Sequence, residues 1–227
     1  MNKWRVTAVA ALLMTFASAA QAGIVVGGTR LIYDGAKKEA SINISNPDHT
    51  PYLIQSWVDG ALTETGAQGE KAPFIVTPPL FRLDGNQQNV LRVVRAGGNL
   101  PENKESLYWL NIKSIPSAEK KENTLQIAVK TRIKLIYRPA AVKDSLEDAA
   151  KTLTWKRVGN SLQVTNPSAH YITFFNVKIN GTAVKEATMV APQSSATFAV
   201  PALNGGALSW QFINDYGGTS KPLVATL

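Results

Sequence analysis

From residue 24 onward the sequence is a succession of short runs rich in Val, Ile, Tyr, Phe, Trp and Thr, each closed by Gly, Pro, Asn or Asp. Punctuation of that kind, with no sustained helical repeat, predicts an all-β chain. Residues 24–33 form one run, broken at Gly27-Gly28. Residues 40–45 alternate, with Ile42 and Ile44 on one side and Ser41, Asn43 and Ser45 on the other, before Asn46-Pro47-Asp48 turns the chain. In residues 52–58, Tyr52, Ile54, Ser56 and Val58 oppose Leu53, Gln55 and Trp57. Further runs occupy 74–77 (stopped by Pro78-Pro79), 90–94, 107–115 and 125–137. Seven strands at this spacing match an immunoglobulin-like sandwich. Arg138-Pro139-Ala140-Ala141 then closes the pattern, and a polar stretch with Lys143, Asp144, Glu147 and Asp148 follows. The domain boundary is placed here, giving a first domain over 23–140 and a second over 141–227. In the second, only 146–150 reads as a short helix. Its β runs fall at 153–158, 161–165, 172–179, 183–186, 196–200, 208–214 and 223–227. The expected architecture is two immunoglobulin-like β-sandwich domains at an angle, with a cleft between them.

The start of the chain stands apart. Lys3 and Arg5 precede an uncharged apolar stretch over 6–20, and Ala20-Gln21-Ala22 supplies small residues where a signal peptidase reads. The apolar stretch falls short of the roughly 18–20 residues that span a bilayer. Residues 1–22 therefore read as a secretory signal peptide, and with no second long apolar run no membrane insertion is expected. An exported chain must hold its cores without help here, because it contains no cysteine. The same absence excludes a disulfide framework, a thiol nucleophile and a Cys-built zinc or iron–sulfur site. Two histidines are too few for a multi-His metal site, and no cofactor is expected. The net charge of +8 is scattered, two of the basic residues being Lys3 and Arg5. No basic run interleaves with aromatics, so nucleic acid is not an expected partner. His49, beside Asp48, and His170, after Pro167-Ser168-Ala169, read as surface loop residues, and neither lies near a G-x-S-x-G nucleophile signature. Gly27-Gly28 has no following helix and no Gly-Lys-Ser/Thr, so it reads as a β-bulge or bend rather than a phosphate loop.

One run does not fit an ordinary sandwich. Residues 125–139 are long for a strand and have two regular faces. Leu125, Ile127, Val129, Thr131, Ile133 and Leu135 share one; Gln126, Ala128, Lys130, Arg132 and Lys134 share the other. An open edge with an apolar row recruits other strands and is normally hidden. The run is either a central core strand with one wet face or an edge strand that pairs with another protein. Periodicity alone leaves both open.

Several strings, in order and at matching spacing, resemble the periplasmic chaperones of the chaperone–usher pilus pathway. They are T-R-L-I-Y (29–33), P-Y-L-I-Q-S-W-V (51–58), F-I-V-T-P-P-L-F-R-L (74–83), L-P-E-N-K-E-S-L-Y-W-L-N (100–111), T-R-I-K-L-I-Y-R-P (131–139) and I-N-D-Y-G-G (213–218). The resemblance covers essentially all of the chain beyond the leader. It is nearest the short-loop, type 1 fimbrial class, the loop here being 117–123. It implies a non-enzymatic protein of the periplasm that binds pilus subunits, fills their open groove with its own long strand, and delivers them to an outer-membrane usher. By resemblance, Leu125, Ile127 and Val129 are the donated positions. Arg30 and Lys134 are the pair that holds the subunit's C-terminal carboxylate, neither being needed for a core. Glu105, Arg138 and Asp215 are a buried inter-domain charge network. The resemblance leaves open whether the free chain pairs with itself through the long strand. The rival readings are a two-domain β-sandwich adhesin or binding module with no chaperone role, and an exported hydrolase, for which no catalytic constellation is visible.

Overall fold

The structure, a computed structural model, describes residues 23–60, 72–117, 125–200 and 206–227. The segment read as a signal peptide, 1–22, and residues 118–123 of the short loop lie outside the described residues. The first sandwich is built from β1 (Val25–Val26), β2 (Arg30–Asp34), β3 (Glu39–Ser45), β4 (Tyr52–Asp59), β5 (Phe74–Thr77), β6 (Leu80–Leu83), β7 (Gln88–Arg95), β8 (Ser106–Pro116) and β9 (Val129–Arg138). One sheet has the order β1-β3-β7-β5, the other β2-β9-β8-β4-β6. Every pairing is antiparallel except β2 with β9.

That exception follows from Gly27-Gly28. β1 pairs with β3 in one sheet, and β2 pairs with β9 in the other, so the chain changes sheets between them. At the crossing the Gly27 N–H donates to Asn43 O at 2.8 Å, and a Cβ on Gly27 would come within 3.0 Å of that same oxygen. The expected bend is therefore a sheet switch, at a point where the backbone approach leaves no room for a side chain.

The alternation read from the sequence sets the core. Ile42, Ile44 and Ile54 turn inward with Leu91, Val93, Leu110, Ile112, Leu135 and Tyr137. The strand β6 was not expected, because Pro78-Pro79 reads as a stop; instead the chain turns there and pairs back onto β4.

The second core is separate. Its strands are β10 (Thr154–Val158), β11 (Ser161–Asn166), β12 (Ile172–Ile179), β13 (Thr182–Ala183), β14 (Met189–Val190), β15 (Ser194–Ala199), β16 (Ala207–Phe212) and β17 (Leu223–Thr226). They form sheets β10-β11-β15 and β13-β12-β16-β17, with β14 also on β12. The helix α1, Leu146–Lys151, opens this half. Ser145 caps it by accepting from the Asp148 N–H, and Leu146, Ala149 and Ala150 bury its inner face. Among the described residues no helix is long and apolar enough to cross a membrane, and no group of three or more His, Cys, Asp or Glu is placed to hold a metal.

Candidate functional site

The long run 125–137 is shorter as a strand than its pattern suggests. Its ladder to β8 begins at Val129, opposite Ser114, and residues 125–128 pair with no described strand. Two residues beyond Ser114, β8 ends at Pro116, which has no N–H to extend a ladder. On the other side, β2 joins β9 only from Lys134, opposite Arg30. The strand is thus interior over Lys134–Tyr137 and, among the described residues, open along one edge over residues 129–133. One half is a core strand and the other an edge strand.

Exposure changes along the same apolar row. Leu125 is 85% exposed, Ile127 67% and Val129 56%, whereas Ile133 is buried and Leu135 is at 0%. The buried half belongs to the first sandwich's core. The exposed half continues that row past the sheet's covered edge and, among the described residues, is left open to solvent.

Where the open edge meets β2, two cations stand side by side. Arg30 and Lys134 are direct cross-strand neighbours. Both reach the second domain: Arg30 Nη1 donates to Ile213 O at 2.9 Å, and Lys134 Nζ donates to Thr173 Oγ1 at 3.2 Å. Burial lowers the Arg30 pKa, a shift that Asp215 and Glu105 only partly oppose. Burial, reinforced by the charge of Arg30, lowers Lys134 to about 8. Arg30 Nε is buried without a hydrogen-bond partner. Two desolvated cations at the end of an open edge favour an anion. Arg30, at 7% exposure and tied to Ile213, lies outside the apolar core but is part of the packed domain junction.

Behind this corner the two domains are joined through Arg138. Its Nε donates to Glu105 Oε1 at 2.6 Å, and its two terminal nitrogens grip Asp215 at 2.7 and 2.8 Å. Burial opposes the Arg138 charge, but the bonds to Asp215 and Glu105 outweigh it and hold the pKa above its ordinary value. The structure thus brings Glu105, Arg138 and Asp215 together. Only Glu105 is fully buried, however; the side chains of Arg138 and Asp215 keep 19% and 28% of their exposure, so the expected buried network is half open. The turn carrying Asp215 depends on Gly217, whose φ of +83° suits glycine and whose position would set a Cβ 2.7 Å from Thr29 Oγ1.

Sequence reasoning missed the fourth member. His170 is no surface loop residue: it is at 0% exposure, with Nδ1 3.0 Å from Glu105 Oε1. Glu105 also accepts from the Tyr171 N–H at 2.7 Å, and its own N–H donates to Ala169 O. One carboxylate from the first domain therefore fastens the 169–171 turn of the second. His49 is exposed, 3.1 Å from Asn86 Nδ2, as a turn residue would be.

The chain is similar to known proteins over nearly its whole length. Residues 23–143 match the family described as pili and flagellar-assembly chaperone, PapD N-terminal domain, and residues 148–223 match the pili assembly chaperone PapD, C-terminal domain. The chain is 41% identical over 230 residues to the probable fimbrial chaperone LpfB of Escherichia coli O157:H7, covering 99% of this chain and 97% of that one. It is 39% identical over 221 residues to the chaperone protein FimC of Escherichia coli K12, covering 95% and 89%. Among solved structures, a chain from the Salmonella enterica SafA pilin in complex with the SafB chaperone superposes with a TM-score of 0.83 at 38% identity, covering 90% of this chain and 96% of that one. The E. coli chaperone DraB superposes with a TM-score of 0.80 at 42% identity, with the same coverage.

Proposed function

The chain belongs to the pilus-assembly chaperone family, and on that premise we propose that it caps pilus subunits in the periplasm by lending them the open edge of β9, then yields them to an outer-membrane usher. The observation that carries this reading is the half-covered strand: an apolar row, Leu125, Ile127 and Val129, continues beyond the domain's own sheet beside an edge with free backbone groups. A subunit with an open groove has the complementary deficit. Strand addition satisfies both, since main-chain bonds join the edges and alternate side chains fill the groove. Burying three aliphatic side chains contributes roughly 1.5–3 kcal/mol each, before association costs are subtracted.

Arg30 and Lys134 set the register by holding the incoming strand's terminal carboxylate, with charge-assisted bonds of about 1.5–3 kcal/mol each. Register matters because a slip of one residue turns Gln126, Ala128 and Lys130 into the groove. The direction follows as well. The free edge lies N-terminal to Lys134, along the line β2 vacates, so a strand ending at Lys134 runs parallel to β9. The protein acts by binding, without catalysis. A periplasmic pull-down with mass spectrometry tests the reading: pilus subunits are expected as the principal captured proteins, and their absence from the eluate of a strain expressing the fimbrial operon would overturn it.

A further inference from the structure

The outward face of β9 is cationic beyond the anchor pair. Lys130, Arg132 and Lys134 project from one side of the strand at alternate positions. Lys113 on β8 stands directly opposite Lys130, so two like charges face each other across the ladder. Like charges so placed oppose strand pairing. Among the described residues, none of these four has a carboxylate within ion-pair distance. Asp59 lies one strand further, opposite Trp109, where its Oδ2 accepts from Asn111 Nδ2. Arg132 lies with its guanidinium carbon 4.3 Å from the centre of the Trp109 ring, while its Nε is buried without a hydrogen-bond partner. The row runs from the Arg30–Lys134 corner along the stretch where β9 has its free edge.

An incoming strand on that edge sets its own alternate side chains beside Lys130 and Arg132. We infer that Lys130 and Arg132, backed by Lys113, form a second electrostatic contact that selects subunits whose C-terminal strand carries carboxylate side chains at the positions facing them. This rests on the strand-lending reading above and adds a specificity element to it. The end carboxylate is common to every chain terminus and distinguishes no subunit from another; acidic side chains upstream of it do. Among the described residues the row sets like charges side by side with no ion-pair partner, and an acidic partner strand supplies one.

The test uses the full mature chain and synthetic peptides with alternating apolar residues, carrying Glu, Gln or Lys at the two outward positions. Each is made with a free and with an amidated C-terminus. Binding is read by fluorescence anisotropy at low and high salt. The Glu peptide is expected to bind about three- to tenfold tighter than the Gln peptide, as two cross-strand ion pairs allow. That preference should persist in the amidated series and should shrink at high salt. Lys130→Glu, an exposed position whose folding is checked by thermal unfolding, should shift the order toward the Lys peptide; Arg132→Gln should narrow the Glu preference. Equal binding of all three peptides overturns this inference while leaving strand lending intact. No binding by any peptide also overturns this inference, whereas the strand-lending reading stands or falls with the capture of whole subunits.

Discussion

Lys134 is the residue where chemistry and binding are most directly linked. In the free protein burial, then the adjacent Arg30 charge, lowers it to about 8 from an ordinary 10.5. Its charged form is disfavoured by folding, so the contribution to stability is unfavourable below about pH 8 and is relieved as pH rises toward 10.5. Subunit binding has the opposite sign, because a carboxylate partner favours the ammonium. Affinity is expected to fall as pH rises through 8, with proton uptake on binding, and the fall should vanish in Lys134→Arg; titration calorimetry in two buffers of different ionisation enthalpy measures both. Lys134→Ala should lose stable subunit complexes with little change in unfolding. Arg30→Ala is the less clean test, since it also releases Ile213. At His170, replacement by Leu removes a hydrogen bond to the Glu105 carboxylate and is expected to cost about 1.5–3 kcal/mol, with part of it recovered in His170→Asn, as read by urea denaturation. The resemblance supplied Glu105, Arg138 and Asp215 but not His170. A lone histidine after Pro-Ser-Ala carries no local signal, and its burial depends on a carboxylate 65 positions away in the chain.

For β9 as an element, its two faces were legible from period alone, but its neighbours were not. Nothing in residues 125–137 says that β2 joins only at Lys134; that depends on where the chain switches sheets, at Gly27-Gly28, about a hundred residues earlier. The same limit explains β6, where the Pro78-Pro79 stop hid a turn back onto β4. Half-coverage gives a sharp expectation for substitutions. Ile127→Asp, at a position 67% exposed, should abolish subunit capture, because an unpaired carboxylate cannot enter an apolar groove. The same change should leave the free protein's denaturation midpoint within about 0.5 kcal/mol of the parent. Leu135→Asp, on the same face but fully buried, should unfold the first domain. Paired co-purification and denaturation of the two variants separate a lent strand from a core strand. If Ile127→Asp unfolds as Leu135→Asp does, the assignment fails.

In the assembled molecule the cleft geometry rests on few contacts: the grip of Arg138 on Asp215, the hold of Glu105 on the 169–171 turn, and the reach of Arg30 and Lys134 to Ile213 and Thr173. Asp215→Ala should cost about 1–3 kcal/mol, between the values for exposed and for buried pairs. It should also broaden the inter-domain angle seen by small-angle scattering without unfolding either sandwich; an unchanged scattering profile would assign the hinge to the other contacts. That there are two sandwiches was readable from strand spacing and the polar stretch at 143–148. Their fastening was not, because its members come from β2, β9, the segment before β8, β12 with the turn before it, and the turn after β16. Amide hydrogen exchange over residues 125–133, in the free protein and in its complex with a subunit, probes strand lending without a substitution. The alternate amides on the open edge should exchange rapidly in the free protein and become protected in the complex, while those already bonded to β8 change little. A complex that forms with no gain of protection along this edge would contradict strand lending outright.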